Sequence, residues 1–221
     1  DYINTDHLFF ADDKVSAGTD MTFFDFQGIS QAVKGVNEIS RTSFRVKNDE
    51  ALTYWVKRFD KYQVKHHGIK TQFGIKILEF SDFDDQDYAL FSDENDQGVQ
   101  GGTPWLNGPV PLEFAIYGLG PIYFRVNQPK LMEKVLTQSL SFNKTDKEDN
   151  FERYQTGQGG NGASVIVEER HDLPLARQGY GGVHHVAFGV DDTSDLDEWI
   201  KVLNQLRAPH SGHVDRFYFK S

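Results

Sequence analysis

The sequence predicts an α+β protein built from tandem modules, each a strand, a helix and then about three strands. Three observations carry that expectation: an internal repeat, a helical stripe within the copies, and glycine-punctuated β-like runs after each helix. The repeat organises the rest. "ISRTSFRVKNDEALTYWVKRF" (39–59), "LGPIYFRVNQPKLMEKVL" (119–136) and "VHHVAFGVDDTSDLDEWIKVL" (183–203) fall in register when Phe44, Phe124 and Phe188 are aligned. Two positions on stand Val46, Val126 and Val190. Eight on stand Leu52, Met132 and Leu196, and eleven on stand Trp55, Val135 and Trp199.

Residues 1–28, with "HLFFAD" and "DMTFFDF" around "SAGTD", read as the rear strands of a first module whose front is missing. Residues 39–95 form a second module. Leu52, Trp55, Val56 and Phe59 give it an amphipathic helix, and "FGIKILEF" (73–80) and "DYALFS" (87–92) give it strands. Residues 96–114, rich in Gly and Pro, read as a linker. The third module spans 115–172, where "FERYQTG" (151–157) and "ASVIVEER" (163–170) pair across the turn "QGGNG". Residues 181–221 are the front of a fourth module whose rear strands are missing. Leu196, Trp199, Ile200, Leu203 and Leu206 make its helical stripe, with Ser194 as the expected N-cap. On the repeat length, a complete protein needs roughly 30–50 further residues at each end.

Composition bounds the function. A net charge of −10 and the absence of a basic run argue against nucleic acid and against an anionic membrane as partners. No run of 18 apolar residues exists to span a bilayer, and Asp1 does not open a signal peptide. The absence of cysteine removes disulfides, thiolate nucleophiles and thiolate metal sites, and it fits a cytoplasmic protein. The 18 Phe, 9 Tyr and 3 Trp suit tightly packed sheet faces, or a cavity for flat apolar ligands.

Only the last copy carries histidines. His184 and His185 stand where the other copies have Ser40 and Arg41, and Gly120 and Pro121. On a strand over 183–190, alternation separates the pair. His184 then shares a packed face with Val186, Phe188 and Val190. His185 faces the other way beside Ala187 and Gly189, where small neighbours leave room for a ligand or base. A metal site also needs partners for that imidazole. "KHHGIK", with His66 and His67, reads as a solvated turn, and His171, His210 and His213 as loop residues. His7, in "DHLFFAD", is strand-like, Asp25 is a strand-edge acid, and Arg216, in "VDRFYFKS", is an alternating-strand guanidinium suited to an anionic oxygen. No nucleophile elbow, Walker loop or dinucleotide fingerprint is present.

Four segments carry a resemblance to a known family: "HLFFADDKVSAGTDMTFFDF" (7–26), "GGTPWLNGPVP" (101–111), "LPLARQGYGGVHHVAFGVDD" (173–192) and "SGHVDRFYFKS" (211–221). With the repeated modules, they resemble the vicinal oxygen chelate superfamily, and within it the four-module ring-cleaving branch that includes hydroquinone dioxygenases. That resemblance implies mixed sheets paired into open, cup-like barrels. It implies an extradiol-type dioxygenase acting on hydroquinone- or catechol-like diols, with Fe(II), or Mn(II) in its place, and O₂ as co-substrate. His185 corresponds to one metal ligand, and the other two fall before Asp1 and after Ser221, so residues 1–221 alone are expected to be inactive. His184 and Arg216 correspond to residues that assist the chemistry beside the metal. The partner implied is a small aromatic substrate, with homo-oligomerisation left open. Two rivals stand beside it: a glyoxalase-like isomerase, which would use Zn²⁺ or Ni²⁺ and an acid such as Asp25, and a non-catalytic aromatic-compound binding or resistance protein.

Overall fold

A computed structural model describes residues 5–215, 220 and 221. The described residues open with an antiparallel hairpin, β1 (Asp6–Phe10) and β2 (Met21–Asp25), in which His7 lies opposite Phe24 and Phe9 opposite Thr22. Next come β3 (Glu38–Val46), α1 (Asp49–Tyr62), β4 (His66–Gln72), β5 (Ile75–Ser81) and β6 (Asp87–Ser92). After β7 (Ile116–Leu119) the same order recurs as β8 (Ile122–Val126), α2 (Pro129–Lys134), β9 (Asn143–Glu148), β10 (Phe151–Gln155) and β11 (Ser164–Glu169). A last helix, α3, covers Thr193–Gln205.

The two strand–helix–three-strand runs merge into one curled, mixed sheet in the order β4-β5-β6-β3-β8-β11-β10-β9, with β7 added to β3. In each run the first strand lies parallel to the last, β3 beside β6 and β8 beside β11. The two first strands meet antiparallel at the centre. A helix between its first two strands lets each run place parallel strands side by side.

The repeat positions explain the packing. Val46 and Leu52 lie in one buried cluster with Phe59, Leu78 and Leu90 under α1, and Phe44 and Trp55 close its edge. Val126 is buried with Leu136, Phe142, Tyr154 and Val165 in the second, where Phe124 and Met132 pack against it. Ile77, Ala89, Phe91, Tyr123 and Ile166 fill the opposite, concave face across both halves. Helix α1 starts where Asn48 accepts a hydrogen bond from Ala51 N at 3.0 Å. Asp49 and Glu50 in its first turn complement the helix dipole.

Four expectations need correction. Residues 183–190 form no strand, because an extended segment becomes one only when a neighbour pairs its backbone, and no described segment does. "KHHGIK" is not a turn but opens edge strand β4, whose register shifts between His66 and Ile69, with Gly68 at φ 74. The cap of α3 is Asp192, whose carboxylate accepts from Ser194 N and Asp195 N, so the helix begins before Ser194. The last correction adds strand β9, "NKTDKE", whose sequence has no apolar alternation to announce it and which pairs with β10 along one edge. No described helix is long and apolar enough to cross a membrane.

Candidate functional site

Two connecting segments cross and bring the site together. Residues 30–36, which leave the hairpin, run against 174–180, which lead to the histidines. Val33 and Arg177 exchange two backbone hydrogen bonds, each 2.9 Å. Ala32 N donates to Tyr180 O at 3.0 Å and Val36 N to Pro174 O at 2.8 Å. The backbones approach closely at two glycines. A Cβ on Gly35 would lie 2.2 Å from the Pro174 carbonyl oxygen, and one on Gly179 would lie 2.2 Å from that of Ser30. Any larger residue would push the segments apart.

This crossing sets the histidine pair against one face of the hairpin. On that face His7 and Phe9 alternate along β1, and Phe24 and Phe26 stack 5.4 Å apart at the end of β2. The Phe24 ring centroid lies 6.1 Å from both the His184 and His185 rings, and Phe26 lies 6.4 Å from His184. The histidines meet edge to face, their Nδ1 atoms 2.8 Å apart. At that distance one Nδ1 donates and the other accepts, which fixes the tautomer of each ring. The expected separation of the pair onto opposite faces is therefore overturned. With no β-ladder among the described residues to impose a pleat, both rings turn to the same side.

His7 is the residue whose role the sequence left least defined. Its ring stacks on Phe24 at 4.0 Å and tilts against Phe9 at 4.0 Å. Its Nε2 is buried and finds no hydrogen-bond partner among the described residues. Such an orphaned group costs about 1–3 kcal/mol. Burial also lowers its pKa from the ordinary histidine value. Alternation in "HLF" and "FFDF" was the available signal that His7, Phe9, Phe24 and Phe26 share a face.

Among the described residues no group of three His, Cys, Asp or Glu side chains is arranged to hold a metal ion. The described donors therefore fit part of a metal site at most: His184 and His185 are exposed imidazoles beside an aromatic face. Asp25 ends β2 on an exposed position. Arg216 lies outside the described residues.

No family model matches the chain. A Bacillus subtilis protein named a ring-cleaving dioxygenase, MhqA, is 38% identical over 220 residues, 97% of this chain and 69% of that protein. The chlorohydroquinone/hydroquinone 1,2-dioxygenase of Sphingobium indicum is 26% identical over 225 residues, 97% of this chain and 67% of that protein. The crystal structure of a Bacillus subtilis protein described as a dioxygenase superposes with a TM-score of 0.86 at 26% identity, over 98% of this chain and 67% of that one. Glyoxalase I from Zea mays shares the fold, with a TM-score of 0.54 at 12% identity over 86% of this chain and 62% of its own. A curled mixed sheet made from repeated βαβββ runs is the vicinal oxygen chelate fold. The chain belongs to the ring-cleaving dioxygenase family within it.

Proposed function

We propose that this protein opens the ring of a hydroquinone- or catechol-like diol in extradiol fashion, using Fe(II) and O₂. The observation that supports this reading most directly is the His184–His185 pair set against the aromatic face of the hairpin, in a chain of the ring-cleaving dioxygenase family. His185 is the proposed metal ligand, supplying one imidazole, and the described residues do not complete the set. Fe(II), when bound, supplies a centre at which an aromatic diol and O₂ react.

The chain's own residues do the rest. Phe24 and Phe26 offer apolar surface to a flat ring. The Nδ1–Nδ1 hydrogen bond lets His184 fix the tautomer and orientation of His185, as second partners of ligating histidines do. It also places His184 to hold or pass a proton at the substrate oxygen. Arg216 is proposed to steady negative charge on that oxygen.

Oxygen uptake tests the reading. The full-length protein, reconstituted anaerobically with Fe(II), is expected to consume O₂ when a hydroquinone or catechol is added. His185→Ala is expected to abolish that uptake. No uptake with any ring compound, despite bound iron, would overturn the proposal in favour of an isomerase or a binding protein.

A further inference from the structure

We propose that His7 is a substrate-binding residue, its Nε2 hydrogen-bonding a hydroxyl of an aromatic ring that lies along the hairpin face beside His184 and His185. This rests on the ring-binding reading of the site and adds to it a residue from another part of the chain. Three observations converge. His7 stands on the face turned to the histidine pair, since it lies opposite Phe24 in the hairpin register and stacks on that ring. Phe24 in turn is equidistant, at 6.1 Å, from His184 and His185. The His7 Nε2 is buried without a partner among the described residues.

A buried imidazole nitrogen usually finds a partner, and one that does not calls for an explanation. The surroundings of His7 are aromatic: Phe9 on one side and Phe24 on the other, each 4.0 Å away. A polar atom among aromatic rings has the character of a small-molecule site, where a few placed polar groups orient a flat apolar ligand. Phe9, one of the two rings against His7, is 43% exposed, so this end of the aromatic cluster borders solvent. An imidazole nitrogen both suits and discriminates a ring hydroxyl. It pairs with a diol and is left unpaired by the same ring without oxygens, which is the basis for rejecting that ring.

The test is the anaerobic dissociation constant of hydroquinone from the Fe(II)-loaded full-length protein, measured by calorimetry for wild type, His7→Phe and His7→Gln, with iron content determined for each. Phe keeps the stacking and removes the nitrogen, whereas Gln restores a donor and an acceptor. His7→Phe is expected to weaken hydroquinone binding about tenfold or more, the effect of losing one good hydrogen bond. His7→Gln is expected to stay within about threefold of wild type, with iron content equal in all three. Equal dissociation constants in all three proteins would overturn the assignment, and so would loss of iron from both variants.

A second readout needs no variant. In protein carrying ¹⁵N-labelled histidine and Zn(II) in place of iron, the His7 Nε2 signal is expected to move with hydroquinone and not with benzene. A signal that hydroquinone leaves unmoved overturns the proposal. Histidine-dependent binding without any O₂ uptake would defeat the ring-cleaving reading and leave the His7 assignment standing. Uptake that is intact, with equal binding in the variants, would do the reverse.

Discussion

Arg41 and His185 hold the same position in two copies of one repeat, and their surroundings are opposite in kind. Arg41 lies in the concave face of the central sheet. Its guanidinium pairs with Glu79 at 2.6 Å and sits 4.7 Å over the Tyr123 ring. Around it Phe91, Tyr123, Ile77 and Ile166 are almost fully buried, so the space in that cup is filled by the protein itself. His185 is exposed beside His184, against phenylalanines of a hairpin that lies outside the large sheet. A repeat that packs its own cup in one copy can present a different side chain at the corresponding position in another. On the proposed function, stability and site fall to different copies of one unit.

The comparison breaks first at Tyr123. Tyr123→Ala empties the centre of the filled cup and removes the hydrogen bond from its hydroxyl to Gln72, 2.5 Å. The expected loss is about 3–5 kcal/mol of unfolding free energy, typical of a large buried ring. Chemical denaturation followed by circular dichroism measures it. A loss below about 1 kcal/mol would mean that the cup is not the packed half. Arg41→Ala comes next, at roughly 3 kcal/mol, the lower end for breaking a buried ion pair. The smaller figure reflects Lys70, whose Nζ remains 2.8 Å from the second Glu79 oxygen.

The filled half was the legible half. The spacing of Phe44, Val46 and Leu52, repeated at Phe124, Val126 and Met132, names side chains that bury or pack in the two helix-side clusters. Apolar periodicity reports burial, and there burial and secondary structure coincide. The third copy carries the same pattern at Phe188 and Val190, yet both stay exposed and no strand forms. Periodicity states which face a strand would bury but cannot supply the neighbour that makes it a strand. The family resemblance brought attention to His185, while the contribution of His7 depends on a crossing between residues 30–36 and 174–180 that no local pattern encodes.

A smaller effect tests how the hairpin is tied to the rest. Asp12, just past β1, accepts hydrogen bonds from Ser16 N at 2.7 Å and Thr103 N at 2.6 Å. Burial pushes its carboxyl pKa up, but those bonds outweigh it and hold the value at about 2. The folded value is therefore depressed, so this contribution is present above about pH 4 and is lost as pH falls towards 2. Thermal unfolding of the wild type is expected to lose more of its midpoint between pH 4 and pH 2 than that of Asp12→Asn. Parallel curves for the two proteins would show that Asp12 does not anchor the hairpin in this way.

The smallest expected effect sharpens the comparison most. If the Arg41 position is structural and the His185 position is chemical, His185→Ala should leave unfolding free energy within about 0.5 kcal/mol of wild type, as exposed substitutions do. The same variant is expected to lose O₂ uptake entirely, so stability and activity separate at one residue. Denaturation of the metal-free protein is the measurement that decides, because bound metal would add its own stabilisation to the folded state. A loss of 2 kcal/mol or more there, comparable on the scale of a buried pair, would place His185 in the packing and erase the contrast with Arg41.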